Sequence, residues 1–150
     1  MSFLNNILGG FFGSRLMKNI REEKGLTYNI FSSLDTMLYE GYFYINTDVS
    51  PSQIDLTLKE IYKEMDSLRN TLISSDELEM NRNYLLGNLL SAVDGPFQSI
   101  RIVKSAILNG ESEQDLKQTI DTFMSISVKE LKETAEEFLD PSDYIEVIIG

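Results

Sequence analysis

The chain opens with apolar residues at helical spacing, which are followed by glycines. Leu4, Ile7 and Leu8 would lie on one side of a helix, and glycines at positions 9, 10 and 13 interrupt it. Ser14 is predicted to cap a second short helix, and Gly25 follows its last turn, where helices favour a left-handed residue. The start of the chain therefore predicts two short helices separated by a glycine-rich turn.

Two β-type segments follow the second helix. β-Branched and aromatic residues alternate with polar ones over residues 26–33 and again over residues 38–49. The residues between them, 34–37, are few enough for an antiparallel hairpin connection. A further short strand is predicted over residues 144–149.

The long stretch between these strands has the pattern of several amphipathic helices. Capping boxes are predicted where Ser50, Ser74 and Ser127 each precede a Gln or Glu by three residues. Breaks are predicted at residues 95–96, 109–110 and 140–141. The side chains expected to face the core are Ile54, Leu58, Ile61, Met65, Leu68, Leu72, Leu78, Leu85, Leu89, Ala92, Ile100, Val103, Ile107, Leu116, Ile120, Phe123, Leu131, Ala135 and Phe138.

This order of elements predicts an α+β fold in which helices cover one face of a mostly antiparallel sheet. At 150 residues the chain is long enough for one domain and too short for two ordinary ones, so residues 1–150 are interpreted as a single domain. Because three strands make a thin sheet, we expect that further strands precede Met1.

The net charge of −11 lies almost entirely in residues 51–150. Such a distribution is typical of helices with a solvated acidic face, and it repels nucleic acids and anionic lipid headgroups. A role in binding nucleic acid is therefore not expected. No run of apolar residues has the length of a membrane span.

Several classes of chemistry are excluded by residue content. The chain has no histidine and no cysteine, so it has neither a Ser-His arrangement nor a cysteine nucleophile. The acidic clusters lack the spacing of a calcium-binding loop and lie at helix starts or on helix faces. No metal site is predicted in this chain.

Arg21 and Tyr28 lie seven residues apart, on either side of the predicted turn from helix to strand. Taken alone, they would be a solvated helix arginine and a half-buried strand tyrosine. Their surroundings, however, contain an ordered series of short motifs, namely Leu8-Gly9-Gly10, Ser14-Arg15-Leu16, Arg21-Glu22, Lys24-Gly25-Leu26 and Tyr28. This series resembles the C-terminal domain of pitrilysin/insulinase-type zinc peptidases, which include the mitochondrial processing peptidases.

The resemblance implies a specific role for this chain. In the family, this domain holds no metal, closes over a zinc-bearing domain, and offers an arginine and a tyrosine to a peptide substrate. Arg21 and Tyr28 are therefore the candidate catalytic residues, and zinc is expected in a partner domain or subunit. The isolated chain is expected to bind no stoichiometric zinc and to cleave no peptide.

The resemblance also suggests roles for three residues near the glycine-rich turn. Gly9 and Gly10 correspond to a loop that handles substrate in the processing peptidases. Here the loop is short, and the favoured interpretation is a flexible turn that lets two helices pack closely. A phosphate-binding loop is disfavoured because neither the Walker nor the dinucleotide spacing is present. Arg15 is a candidate substrate-binding residue, or it braces the turn or a partner's carboxylate.

An alternative function is a catalytically inactive subunit with a structural role in an assembly, because members of this superfamily include such proteins. A further expectation concerns the isolated chain itself. A sheet with an unpaired edge and apolar residues on both faces would be adhesive, so we expect this chain to self-associate.

Overall fold

The computed structural model describes residues 1–37, 40–92, 95–110 and 112–150. The fold is α+β, as predicted, and consists of helices and an antiparallel hairpin. The elements are α1 (Ser2–Leu8), a π-helix (Met17–Glu23), β1 (Ile30–Thr36), β2 (Gly41–Thr47), a 3-10 turn (Pro51–Gln53), α2 (Ile54–Asn70), α3 (Ser75–Ala92), α4 (Pro96–Asn109), α5 (Glu113–Ser125), α6 (Val128–Phe138) and a second 3-10 turn (Pro141–Asp143). No helix in these ranges is long and apolar enough to cross a membrane.

The predicted hairpin is confirmed, but its connection lies further along the chain. β1 and β2 are antiparallel, with Ile30 opposite Thr47 and Thr36 opposite Gly41. Residues 34–36 therefore belong to β1 rather than to the connection, which begins at Met37, whose N–H donates to the Glu40 carbonyl at 2.7 Å. Part of the predicted second strand, Leu38 and Tyr39, lies outside the described residues.

The predicted closing strand over residues 144–149 is wrong. These residues form no ladder with either described strand. Their apolar side chains are largely exposed, and Ile149 is 92% exposed. Alternation of apolar residues indicates which side chains can share a face, but a strand also needs a neighbouring edge to pair with.

The core forms where α1, the π-helix, β1, α2 and α6 meet. α1 is short, yet it contributes four of the buried apolar side chains. α2 contributes Ile61, Met65 and Leu68, as predicted. The buried apolar residues are Phe3, Leu4, Ile7, Leu8, Leu16, Met17, Ile20, Leu26, Ile30, Ile61, Met65, Leu68, Ile73, Leu78, Phe123, Leu131, Ala135 and Leu139.

The inward face predicted for α4 is wrong. Ile100, Val103 and Ile107 are exposed, and Ile107 is 71% exposed. The helix has the expected amphipathic spacing and ends at Gly110, which has a φ of 71°, but no described element covers its apolar side. Periodicity identifies an apolar face without identifying what packs on it.

A few other side chains also differ from the prediction. Leu72 lies beyond the last residue of α2, so its side chain is not on the apolar face of that helix. Phe138 is the last residue of α6. Nothing is described of the Leu116 side chain. The predicted core residues that are instead exposed are Leu72, Ile120 and Phe138.

The caps agree with the sequence only in part. Ser127 and Glu130 form the complete predicted capping box, and Ser74 accepts a hydrogen bond from the Glu77 N–H at 3.1 Å. Ser50 does not form the predicted box, because its hydroxyl donates to the Gln53 side chain. Ser14 is buried and its hydroxyl has no hydrogen-bond partner in the described chain.

A close approach between Gly9 and β1 fixes the position of α1 against the hairpin. The Ser32 N–H donates to the Gly9 carbonyl at 3.1 Å. A Cβ on Gly9 would lie 2.5 Å from the Ser32 nitrogen, and one on Gly10 would lie 2.7 Å from the Asn6 Cα. Both glycines are therefore required by packing, but Gly9 approaches β1 and Gly10 approaches α1 itself, whereas the sequence predicted a turn that lets two helices pack closely.

We predict that Gly9→Ala destabilises the chain by about 1–3 kcal/mol, the usual cost of overpacking a tight contact. The atoms that the new methyl group meets belong partly to the backbone of β1, which cannot move without disturbing the hairpin. Urea unfolding followed by circular dichroism measures the effect.

Gly87→Ala is the matched control for this substitution. Gly87 lies within α3, and a Cβ there meets no atom within 4 Å. Alanine should leave the stability unchanged or raise it by up to about 1 kcal/mol, because glycine is a poor helix former. Equal unfolding midpoints for the two variants would contradict the role assigned to Gly9.

Candidate functional site

The candidate site lies at the corner where the π-helix turns into the hairpin. Gly25 has a φ of 60°, as the sequence predicts for a left-handed cap. The Lys24 N–H donates to the Asn19 carbonyl, and the Leu26 N–H donates to the Ile20 carbonyl. Both hydrogen bonds span more residues along the chain than the i to i−4 bonds of an α-helix. The corner reverses the chain, so that Arg21 in the last turn faces Tyr28 just before β1.

Arg21 lies close to two aromatic rings. Its guanidinium carbon is 4.7 Å from the centroid of the Phe12 ring and 5.2 Å from the centroid of the Tyr28 ring. Both distances are within the range of cation–π contacts. The structure therefore brings the two predicted catalytic residues together, and it adds Phe12, which the sequence did not single out as a site residue.

The Tyr28 ring projects into solvent from a well-anchored backbone. The side chain is 86% exposed. Beneath it, the Thr27 hydroxyl donates to the Asp48 carbonyl at 2.7 Å, and the Thr47 hydroxyl donates to the Asn29 carbonyl at 3.0 Å. These bonds tie the Tyr28 segment to the far end of β2. An exposed ring on a fixed backbone is suited to contacting another molecule.

The guanidinium of Arg21 has no carboxylate partner among the described residues. It is only partly buried, and its described neighbours include the rings of Phe12 and Tyr28, neither of which accepts a conventional hydrogen bond at its ring face. A cation in this arrangement keeps its hydrogen-bond donors for an external acceptor.

Asn19 anchors the π-helix to α2. Its amide nitrogen donates to Glu60 at 3.0 Å and to Glu64 at 2.6 Å, and its amide oxygen accepts from Lys24 at 2.7 Å. The hydrogen bond from Asn19, with help from Lys24, lowers the pKa of Glu60 and keeps it charged. No sequence signal singles out Asn19, because an asparagine in a basic helix is an ordinary solvated residue unless its partners are known.

Arg15 has its own set of partners. Its guanidinium donates to both carboxylate oxygens of Glu77, at 2.7 and 2.8 Å, and to the Ser67 hydroxyl at 3.0 Å. The hydrogen bond with Glu77 also raises the pKa of Arg15. The guanidinium of Arg15 therefore links the region of the π-helix to α2 and α3. Its partner Glu77 is the residue that was predicted to complete a capping box with Ser74.

The chain does not fit a zinc site. It has neither histidine nor cysteine. Among the described residues no group of three or more acidic side chains is placed to hold a metal ion. Any metal chemistry in which this chain takes part would need ligands from another domain or subunit.

Comparison with known proteins places the chain in a family. Residues 1–85 match the peptidase M16 inactive domain. The uncharacterized zinc protease YmxG of Bacillus subtilis is 26% identical over 148 residues, which cover 98% of this chain and 36% of that protein. The chain therefore spans about a third of the length of this curated relative.

Two further relatives extend the comparison. The crystal structure of a peptidase M16 inactive domain from Pseudomonas fluorescens superposes with a TM-score of 0.79 at 26% identity, covering 91% of this chain and 32% of that one. A Helicobacter pylori protein named as a non-peptidase homolog is 34% identical over 85 residues, covering 55% of this chain and 19% of that protein. From its sequence and its fold, this chain belongs to the peptidase M16 inactive-domain family, the non-catalytic C-terminal type of pitrilysin-like domain.

Proposed function

We propose that this chain is the substrate-closing part of a zinc metalloendopeptidase that acts on peptides. The Bacillus subtilis relative is named as a zinc protease and is about three times as long. A partner domain or subunit would hold the zinc, since this chain has no suitable ligands. We include in the proposal that residues 1–150 form one domain whose remaining strands lie outside this sequence.

The pairing of Arg21 with Tyr28 is the single observation that carries the proposal. Hydrolysis of a peptide bond builds negative charge on the carbonyl oxygen, and donors already in place stabilise that charge as it forms. The guanidinium of Arg21 is a planar cation that presents a fork of donors. The Tyr28 hydroxyl adds one directional donor from an exposed ring.

The rings beside Arg21 explain how its guanidinium can be held in place without an ion pair to a carboxylate. A carboxylate partner would occupy the same N–H groups that a substrate carbonyl needs. Phe12 and Tyr28 instead attract the charge through their faces. In a chain with a net charge of −11, an arginine without an acidic partner in the described structure favours an external acceptor.

A separate donor domain makes catalysis depend on closure. Arg21 and Tyr28 would reach the scissile bond only when this chain and the zinc-bearing domain come together around the substrate. Such an arrangement completes the site after binding and excludes water from it. Gly9, Gly10 and Arg15 would then act by positioning the corner rather than by binding substrate directly.

A second function is favoured by one relative. The Helicobacter pylori protein named as a non-peptidase homolog is 34% identical over the matched part. A domain of this fold can therefore occur in a protein without peptidase activity, and this chain would then be an inactive structural subunit. In that case Arg21 and Tyr28 would be surface residues with no effect on catalysis.

We predict that Arg21→Lys and Tyr28→Phe each lower kcat/KM by about 100-fold in the parent enzyme or in a complex with the zinc-bearing subunit. Arg21→Lys keeps the charge but loses the fork, and Tyr28→Phe keeps the ring but loses the hydroxyl. The magnitude is that of losing one donor to developing charge. Steady-state cleavage of a fluorogenic peptide measures it.

Lys18→Ala is the matched control for these variants. Lys18 is exposed on the same π-helix and should leave kcat/KM within twofold of the wild-type value. Thermal unfolding should be nearly the same for all three variants, because none of these side chains is in the core. Wild-type kinetics for Arg21→Lys and Tyr28→Phe would support the structural subunit instead.

We also predict that the isolated chain self-associates through the apolar side of α4. Phe97, Ile100 and Ile107 are exposed there, and covering such a patch is favourable by about 25 cal/mol per Å². Light scattering should show a dimer or larger species, and Ile107→Asp should shift it towards monomer. A monomeric wild-type chain at high micromolar concentration would contradict this prediction.

A further inference from the structure

The helix that carries Arg21 has an uncommon backbone register. Residues Met17–Glu23 form a π-helix, in which N–H groups donate five residues back, and such turns are rare and often occur at functional sites. The Asn19 carbonyl accepts from the Lys24 N–H at 3.1 Å. In an α-helix the same carbonyl would accept from the N–H of Glu23. Contacts from outside the helix backbone are therefore expected to favour the wider turn.

The Asn19 side chain makes such contacts, and it is only 7% exposed. Its amide nitrogen donates to Glu60 at 3.0 Å and to Glu64 at 2.6 Å, and these two carboxylates lie one turn apart on α2. Its amide oxygen accepts from the Lys24 ammonium at 2.7 Å. A primary amide has two N–H donors and one carbonyl acceptor, so both donors and the acceptor of Asn19 are engaged.

Asn19 contacts Lys24 twice, once through the backbone and once through the side chain. Arg21 lies between these two residues in the chain, so its backbone is held on both sides. Lys24 is followed by Gly25, where a φ of 60° turns the chain towards Tyr28. The direction in which the Arg21 side chain leaves the helix therefore depends on the contacts of Asn19.

Asparagine suits this position by its charge as well as by its shape. An aspartate would have no N–H to donate, and it would bring a third carboxylate to Glu60 and Glu64. The nearby ammonium groups of Lys24 and Lys63 already lie 3.4 and 3.5 Å from Glu60. Asn19→Asp would therefore repel the π-helix from α2 with almost no change in the size of the side chain.

We propose that Asn19 is a positioning residue for the Arg21–Tyr28 site: its amide holds the π-helical register and thereby directs the Arg21 guanidinium to the Tyr28 ring. The inference rests on the proposed function where it concerns catalysis, whereas its structural part concerns this chain alone. The guanidinium carbon is 4.7 Å from the Phe12 centroid and 5.2 Å from the Tyr28 centroid, so a change of register would move it relative to both rings. Asn19 is buried against α2, so it acts through Arg21 and not on the substrate.

Nuclear magnetic resonance of the isotope-labelled full chain tests the structural part. The ring currents of Phe12 and Tyr28 should shift the Arg21 Hε signal upfield. Asn19→Asp should move this signal towards the position of a solvent-exposed arginine, whereas Lys18→Ala should leave it in place. Lys18→Ala is the matched control, because it lowers the net charge by the same amount on the same helix and its side chain is exposed.

Exchanging the donor with one of its acceptors gives a rescue variant. In Asn19→Asp combined with Glu64→Gln, the amide lies on α2 and the carboxylate on the π-helix, so the hydrogen bond is possible again at the net charge of the wild type. The Arg21 Hε signal should return towards its wild-type position. Glu64→Gln alone keeps an acceptor oxygen for Asn19 and should leave the signal nearly unchanged.

Steady-state kinetics of the parent enzyme, or of the complex with the zinc-bearing subunit, test the catalytic part. Asn19→Asp should lower kcat by about 10–100-fold and leave KM within about twofold, because a displaced donor is lost to the transition state and not to substrate binding. The double variant should recover most of this loss. A residue that only stabilised the fold would lower Tm and leave the kcat of the folded enzyme unchanged.

The outcomes separate this proposal from the proposed function. A folded Asn19→Asp chain with an unchanged Arg21 Hε signal would overturn the proposal. If Asn19→Asp does not fold, a double variant with the signal of a solvent-exposed arginine would overturn it, and one with the wild-type signal would support it. Wild-type kcat for Asn19→Asp, in an enzyme that loses activity with Arg21→Lys, would contradict the catalytic part. Full activity of Arg21→Lys, with the Hε signal responding as expected, would refute the peptidase role and leave the positioning of Arg21 by Asn19 supported.

Discussion

The close approach between Gly9 and Ser32 is the contact on which the remaining geometry depends. One hydrogen bond of 3.1 Å, possible only because position 9 has no side chain, joins the end of α1 to β1. The loop after it carries Phe12, and the π-helix after that carries Arg21. Moving α1 away from β1 would therefore move both residues relative to Tyr28, which is fixed to the hairpin.

The basic residues of the short helical region have different electrostatic environments, and this difference supports the proposed site. Arg15 is bound by both oxygens of Glu77, and Lys24 lies 3.4 Å from Glu60 and donates to Asn19. These pairs attach the region to α2 and α3. Arg21 alone of these three has aromatic faces in place of a described acidic partner. Its charge is consequently available to another molecule, whereas the other two contribute to holding the scaffold.

Sequence reasoning predicted the features that depend on local chemistry. The left-handed Gly25, the Gly110 helix stop, the Ser127–Glu130 capping box and the pairing of two antiparallel strands all follow from residue type and short spacing. These signals act over a few residues, and in these cases the local residues alone satisfy them. The same short-range patterns also predicted that Arg21 and Tyr28 lie on either side of one turn from helix to strand.

The features that the sequence did not predict depend on distant partners. The strand expected over residues 144–149 lacks a paired edge, and the apolar side of α4, including Ile107, lacks a covering element in the described structure. The carboxylate of Glu77, assigned to a cap, is bound by Arg15 across 62 residues instead. Phe12 was missed as a site residue because only the folded loop brings it to Arg21.

The central claim is that Arg21 and Tyr28 act as one unit on the substrate of a zinc-bearing partner. A double-mutant cycle in kcat/KM, with Arg21→Ala and Tyr28→Ala in the zinc-bearing enzyme or complex, tests it most directly. Because the Tyr28 ring supports the guanidinium, each single variant should lose about 100-fold and the double variant less than about 1,000-fold, which is far from additive. A double variant that loses the full product of the two single losses would show two independent residues, and unchanged activity in all three would contradict the claim outright.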